Sequence, residues 1–319
     1  MELRLRMKIV TLLPSATEIV CKLGLENNLV GISHECDYPI SIKKLPKLTS
    51  SSIGKNKNSK AINNSVEELL NNSISVYDLK IELLKSLKPD YLITQNLCDV
   101  CAVSFDQVEM ACSQVLGPQT KIIPLHPQRF NDIWEDVRRV AVELDAIQAY
   151  KSFKNDLDQR IEYISKVIAA NQSNEKSVLT IEWFDPVMVG GLWVPEMINI
   201  AGASYLLAQP GQKAFTATWE NLIEINPDIV IIKPCGFKLD QTLQEIETLQ
   251  KNIPWKDWTA YQDSNIFIVD GNSYFNRSGP RILDSLEILS YCIHPEIFPG
   301  FLKKYEKALI RLEPGLKVP

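Results

Sequence analysis

The stretch GISHECDYP, residues 31–39, sets His34, Glu35, Cys36, Asp37 and Tyr38 side by side. Imidazole, thiol and carboxylate are the groups that ligate metals or move protons. The chain holds only three histidines and seven cysteines, so this concentration marks a candidate site. A second is the run Gln95 to Cys101, which contains the Cys-x-x-Cys pair Cys98 and Cys101, and His126 follows. Cys36, Cys98, Cys101 and His126 (or His34) make a four-donor set of the kind that holds zinc or iron. Cys98 and Cys101 are equally open to thiol–disulfide chemistry, because an exposed Cys-x-x-Cys can carry a lowered pKa. Plainer roles stand beside these. A lone His34 can bond a backbone carbonyl, and a Cys-x-x-Cys recurs by chance. Ser15, Thr17 and Glu18 can simply cap the first helix. Cys21, Cys112 and Cys292 sit inside helical patterns, where core packing is expected.

The elements that must position these groups follow a strand-then-helix rhythm. Strands are expected at 8–14, 29–33, 91–95 and 121–127, with helices at 17–23, 77–88 and 105–116. Gly24 stops the first helix, and residues 50–73, rich in Ser, Asn and Lys, read as a surface loop. From Ala146 to about Ala170 there is neither Gly nor Pro. Ile147, Tyr150, Phe153, Leu157, Ile161, Ile164 and Ile168 recur at steps of three and four, which predicts one long amphipathic helix. It is either an ordinary surface helix or a rigid strut between two lobes. The rhythm then resumes, with strands at 177–184, 228–234 and 265–270 and helices at 195–201, 219–225 and 281–293. A short helix from Pro299 and a frayed end close the chain. The expected class is α/β with parallel sheets. The divisions are an N-terminal lobe at 7–144, a linking helix at 145–172, a C-terminal lobe at 173–300 and a tail at 301–319.

Open parallel sheets bind ligands beyond the carboxyl ends of their strands. In the first half those ends carry Ser15, then His34 through Tyr38, then Gln95 and the cysteines, then His126. In the second half they carry Trp183 and Phe184, Cys235, and Tyr274, Phe275 and Arg277. Trp193, after Gly190 and Gly191, is either core or a mobile lid. Two lobes with facing strand ends predict a cleft with one wall of His, Cys and acid and the other of aromatics with an Arg.

Composition narrows the partners. Of 319 residues, 34 are Lys or Arg and 39 Asp or Glu, a net charge of −5, and no basic cluster tracks a phosphate backbone. A nucleic-acid partner is therefore not expected. No run approaches the ~20 apolar residues of a membrane span, so no membrane insertion is expected either. The first ten residues have neither an apolar leader nor a lipidation cysteine. The expectation is a cytoplasmic monomer, periplasmic only by another export route, with Met7 as an alternative start.

The segment LLPSATEIVCKLGLENNLVGISHECDYP resembles the N-terminal part of the cobalamin-binding members of a periplasmic-binding-protein class that also serves siderophores and haem. The likeness continues through LKPDYLI, MVGGLWVPEMINIAGA, NPDIVII and NSYFNRSGPRI, from Met7 to about His294. It implies the class III fold, two Rossmann-like lobes bridged by one long helix, holding a corrinoid such as cobalamin. It also implies that Tyr38, Tyr274, Phe275 and Arg277 are ligand contacts, and that Glu82 and Glu220 dock an ABC permease. Both glutamates suit a helix start on electrostatic grounds alone. The thiol-rich rim of Cys36, Cys98 and Cys101 departs from the importer pattern and resembles a subgroup labelled cobalamin-binding. The expected function is non-catalytic binding of a corrinoid or related metallo-tetrapyrrole. The alternatives are a cytosolic zinc or iron protein and a thiol-redox or corrinoid-modifying enzyme. No nucleotide loop, nucleophile elbow or H-E-x-x-H helix supports catalysis.

Overall fold

The structure is a computed structural model that describes residues 7–53, 57–71, 77–96, 108–110, 115–171 and 174–313. The chain divides into two compact units. One comprises residues 1–57, 64–127 and 131–154, the other residues 58–63, 128–130 and 155–319.

The N-terminal unit is built on β1 (Ile9–Thr11), β2 (Leu29–Ile32), β5 (Tyr91–Gln95) and β6 (Lys121–Leu125), all parallel in the order β2-β1-β5-β6. Short apolar strands of this kind are buried on both faces, as the expected parallel class requires. β3 (Thr49–Ser51) and β4 (Tyr77–Leu79) form a separate antiparallel pair. Val10, Leu12, Leu48, Leu84, Leu92 and Val108 make the core. The first helix, Pro14–Lys22, begins earlier than expected because Pro14 fits the first helical turn. Gly24 follows at φ +78°, a left-handed turn that glycine adopts without strain.

Two expectations fail here. Residues 50–73 are not a loop, since Ser59–Asn71 is a helix. Asn58 starts it, with Oδ1 accepting from the Ala61 amide at 2.9 Å. Half-buried Ile62, Val66 and Leu69 give it one apolar stripe inside a polar composition. Residues 77–88 are not one helix, because Tyr77–Leu79 pairs with β3 and only Ile81–Leu87 is helical. The expected helix at 105–116 falls largely outside the described residues. A helix that was not expected, Phe130–Glu143, buries Ile133, Trp134, Val137, Val140 and Ala141.

The long helix spans Ile147–Asn171, twenty-five residues, with Tyr150, Phe153, Leu157 and Ile164 buried along its stripe. The division between the two units falls within it, after Lys154.

The C-terminal unit has a mixed sheet. β7 (Lys176–Phe184), β11 (Ile229–Ile232) and β12 (Ile266–Val269) are parallel neighbours. β8 (Val187–Val189) turns back antiparallel on β7, β9 (Ala203–Tyr205) runs parallel to its start, and β10 (Phe215–Thr216) adds to β8. β13 (Leu309–Leu312) pairs antiparallel with β12. The chain end expected to fray therefore closes the sheet. Leu179, Ile181, Phe184, Val230, Ile232, Trp258 and Ile268 lie in its core.

Candidate functional site

In the N-terminal unit the rim begins where β1 gives way to the first helix. Leu13 caps that helix with no side-chain hydrogen bond, so the hydroxyls beyond it are not capping groups. Ser15, Thr17 and Glu18 are buried instead. The Thr17 hydroxyl lies 2.6 Å from that of Thr11 and 3.0 Å from Cys36 Sγ. Cys36 is buried and spends its thiol on this chain, while Lys47 Nζ donates to its carbonyl at 3.1 Å. Burial draws the Lys47 pKa below the ordinary lysine value.

Among the described residues His34 bonds no backbone carbonyl through its ring. Its Nδ1 lies 2.7 Å from Thr49 Oγ1, which also meets Ser33 Oγ at 2.9 Å. Its Nε2 lies 3.1 Å from Glu35 Oε1, inside ion-pair distance but without hydrogen-bond alignment among the described residues. Tyr77 packs on the ring at 5.4 Å. β2 ends just before this group, and β3 supplies Thr49 from across the strand end. Tyr38 follows at 50% exposure, ahead of the cis Tyr38-Pro39 bond. Gln95 is buried at the end of β5, and His126 is exposed after β6.

Cys98 and Cys101, the heart of the expected metal set, lie outside the described residues. Among the described residues no three His, Cys, Asp or Glu side chains come together as a metal ion requires. Cys21 and Cys292 are free thiols whose pKa values burial raises, that of Cys21 to about 12. A thiol held so high is a poor nucleophile at neutral pH.

In the C-terminal unit the rim is aromatic. Trp183 is the penultimate residue of β7, half-buried and 5.2 Å from the Phe237 ring, and its indole N–H has no hydrogen-bond partner among the described residues. Phe184 corrects an expectation. Strand alternation turns it to the opposite face, where it is fully buried in the core against Phe237. It therefore offers no face to a ligand. Trp193 is buried, with Nε1 donating to the Phe275 carbonyl at 2.9 Å. Phe275 is fully buried at φ +49°, its amide donating to Ser285 Oγ at 2.9 Å. Tyr274 packs edge-on to Tyr305 at 6.1 Å, with Arg281 over its ring. Arg277 is largely buried, 3.3 Å from Asn272 Oδ1.

Trp193 and Phe275 line a small hollow with Glu182, Gly191, Leu192 and Asn276. Glu182 was not expected from the sequence, nor was Lys233, whose Nζ lies 3.1 Å from Glu182 Oε2. The available signal was a lysine directly after the apolar strand IVII, where a solvent-facing position is the default. Glu82 and Glu220 are both exposed in the first turns of short helices, Ile81–Leu87 and Trp219–Glu224.

The profile of the family described as "Periplasmic binding protein" matches residues 9–272. An "Uncharacterized ABC transporter substrate-binding lipoprotein YvrC" of Bacillus subtilis is 27% identical over 300 residues, 91% of this chain and 81% of the relative. A "Vitamin B12-binding protein" of Vibrio vulnificus is 21% identical over 291 residues, 88% and 87% of the two chains. The crystal structure of a periplasmic heme-binding protein from Pseudomonas aeruginosa shares the fold. Its TM-score is 0.68 at 20% identity, covering 91% of this chain and 93% of that one. These findings overturn the expectation of a cytoplasmic protein, because the family is one of periplasmic binding proteins and the B. subtilis relative is a lipoprotein.

Proposed function

Because the chain belongs to the periplasmic binding protein family, we propose that it binds a corrinoid, cobalamin or a close relative, and passes it unchanged to an ABC permease. The observation that carries this reading is the near full-length similarity to a protein named for vitamin B12 binding. The residues support it chemically. Tyr38, Trp183 and Tyr274 are the rim aromatics that retain exposed surface. Aromatic faces suit a flat macrocycle, because they bury large area at low entropic cost. His34, tied through Nδ1 to Thr49 and with Nε2 beside Glu35 at 3.1 Å, gives the rim a fixed polar group for the ligand. Arg277 and Gln95 serve the polar edge. Glu82 and Glu220 meet cationic residues of the permease, and the protein works as a monomer.

The test is a titration of ligand-free protein with cyanocobalamin, cobinamide and haemin, followed by visible absorbance and calorimetry. A saturable, one-to-one response to a corrinoid is expected. A response to haemin alone would replace the corrinoid with haem, and no response to any of the three would overturn the reading.

A further inference from the structure

The hollow in the C-terminal unit holds a charge pair that the aromatic contacts leave unused. Lys233 follows β11 directly and is fully buried. Its Nζ lies 3.1 Å from Glu182 Oε2 but makes no hydrogen bond among the described residues. The Glu182 carboxylate accepts none there either. A buried ammonium and a partly buried carboxylate with unspent hydrogen-bonding capacity carry a desolvation cost that a polar guest would offset.

The surroundings define the guest. Gly190 lets the pair pack closely, since a Cβ there would stand 2.4 Å from Thr180 Oγ1, 3.0 Å from Glu182 Oε2 and 3.1 Å from Lys233 Cε. Glu182 is 20% exposed and lines the hollow beside Leu192, Trp193, Phe275 and Asn276. The neighbouring donors are already committed. Trp193 Nε1 donates to the Phe275 carbonyl, Asn276 Nδ2 to that of Gly271 at 2.9 Å, and Tyr205 OH to that of Gly190 at 2.7 Å. A guest that satisfies Glu182 must bring N–H donors, and the apolar walls admit one small group. A carboxylate would meet Glu182 charge to charge. A carboxamide brings two donors and no charge.

We infer that this hollow takes one carboxamide from the edge of the ligand, its N–H groups donated to Glu182. Lys233 acts from behind as a positioning residue that holds the carboxylate in place. The inference rests on the corrinoid reading and deepens it, because corrinoid edges carry carboxamides whereas haem edges carry carboxylates.

Cobinamide and cobyrinic acid share the corrin ring but differ at its edge, carboxamides in one and carboxylates in the other. Calorimetry on the wild-type protein is expected to give a preference of about tenfold for cobinamide. The double variant Glu182→Gln with Lys233→Met removes both charges at similar volume and is expected to lose that preference. Glu182→Gln alone is expected to weaken it, and serves if the double variant unfolds early by circular dichroism. Cobinamide binding whose preference over cobyrinic acid survives both substitutions would overturn the inference alone. A wild type that binds neither corrinoid would overturn the corrinoid reading and the inference together.

Discussion

Arg160 donates through Nε to Glu287 and through Nη2 to Asp284, each at 2.7 Å. Lys304 Nζ and the Tyr305 hydroxyl also reach Glu287, at 2.6 and 2.5 Å. Burial alone would raise the Glu287 pKa, but these bonds outweigh it and hold the carboxyl below the ordinary glutamate range. A carboxyl depressed on folding adds stability that is present above its unfolded pKa and lost as pH falls through the lower folded value. Arg160→Met is therefore expected to cost about 2 kcal/mol at neutral pH. Urea titrations should show that gap narrowing as pH falls below 4.5, the ordinary glutamate value. A gap that does not change with pH would assign the loss to packing of the arginine stem. Residues of this kind mark the limit of sequence reading. The position of His34 and Cys36 was legible because both follow a strand end. Their partners Thr49 and Thr17 were not, because a hydroxyl bond leaves no pattern in the chain. Lys233 was missed for a related reason, since periodicity assigns faces and not the burial of a single charge.

The three central parallel strands of the C-terminal unit were legible, because apolar strands broken by Gly and Pro carry a strong signal. The weaker elements were lost. Ser59–Asn71 hides its stripe among Ser and Asn, and Leu309–Leu312 is too short to separate from a tail without its partner β12. The turn after β8 shows how local backbone fixes the hollow. A Cβ on Gly191 would stand 2.2 Å from the Gln212 carbonyl oxygen, the same oxygen that accepts from the Leu192 amide at 2.6 Å. That backbone cannot yield without moving Leu192, which lines the hollow. Gly236 has φ +75° but nothing within 4 Å of its added Cβ. Gly191→Ala should cost about 3 kcal/mol through overpacking, and Gly236→Ala about 1 kcal/mol through conformation alone. Thermal unfolding of the two variants checks the order. Equal losses would mean that the Gln212 segment shifts freely and the hollow is not rigidly framed.

At the scale of the whole molecule, the sequence set polar and aromatic side chains at strand ends in two halves of the chain. It misjudged location, because the first ten residues gave no sign of the export that the family describes. The proposed delivery to a permease asks each unit to present a surface. Glu82 in the N-terminal unit and Glu220 in the C-terminal unit are both exposed. The Glu220 backbone amide and the Thr218 hydroxyl hold the Glu220 carboxyl below the ordinary range. Beside it Trp219 and Ile223 are 48% and 56% exposed, four residues apart on one short helix. An acid flanked by apolar side chains suits an interface better than a solvated helix start, where polar neighbours are the norm. Charge reversal separates docking from ligand capture. Glu82→Lys and Glu220→Lys should each reduce stimulation of the permease's ATPase in proteoliposomes, and together abolish it, while corrinoid affinity stays unchanged. Trp219→Ala should weaken stimulation without the salt sensitivity of the charge variants, since an apolar contact is not screened. Full stimulation by the double charge variant would leave the two acids as helix-start residues with no part in docking.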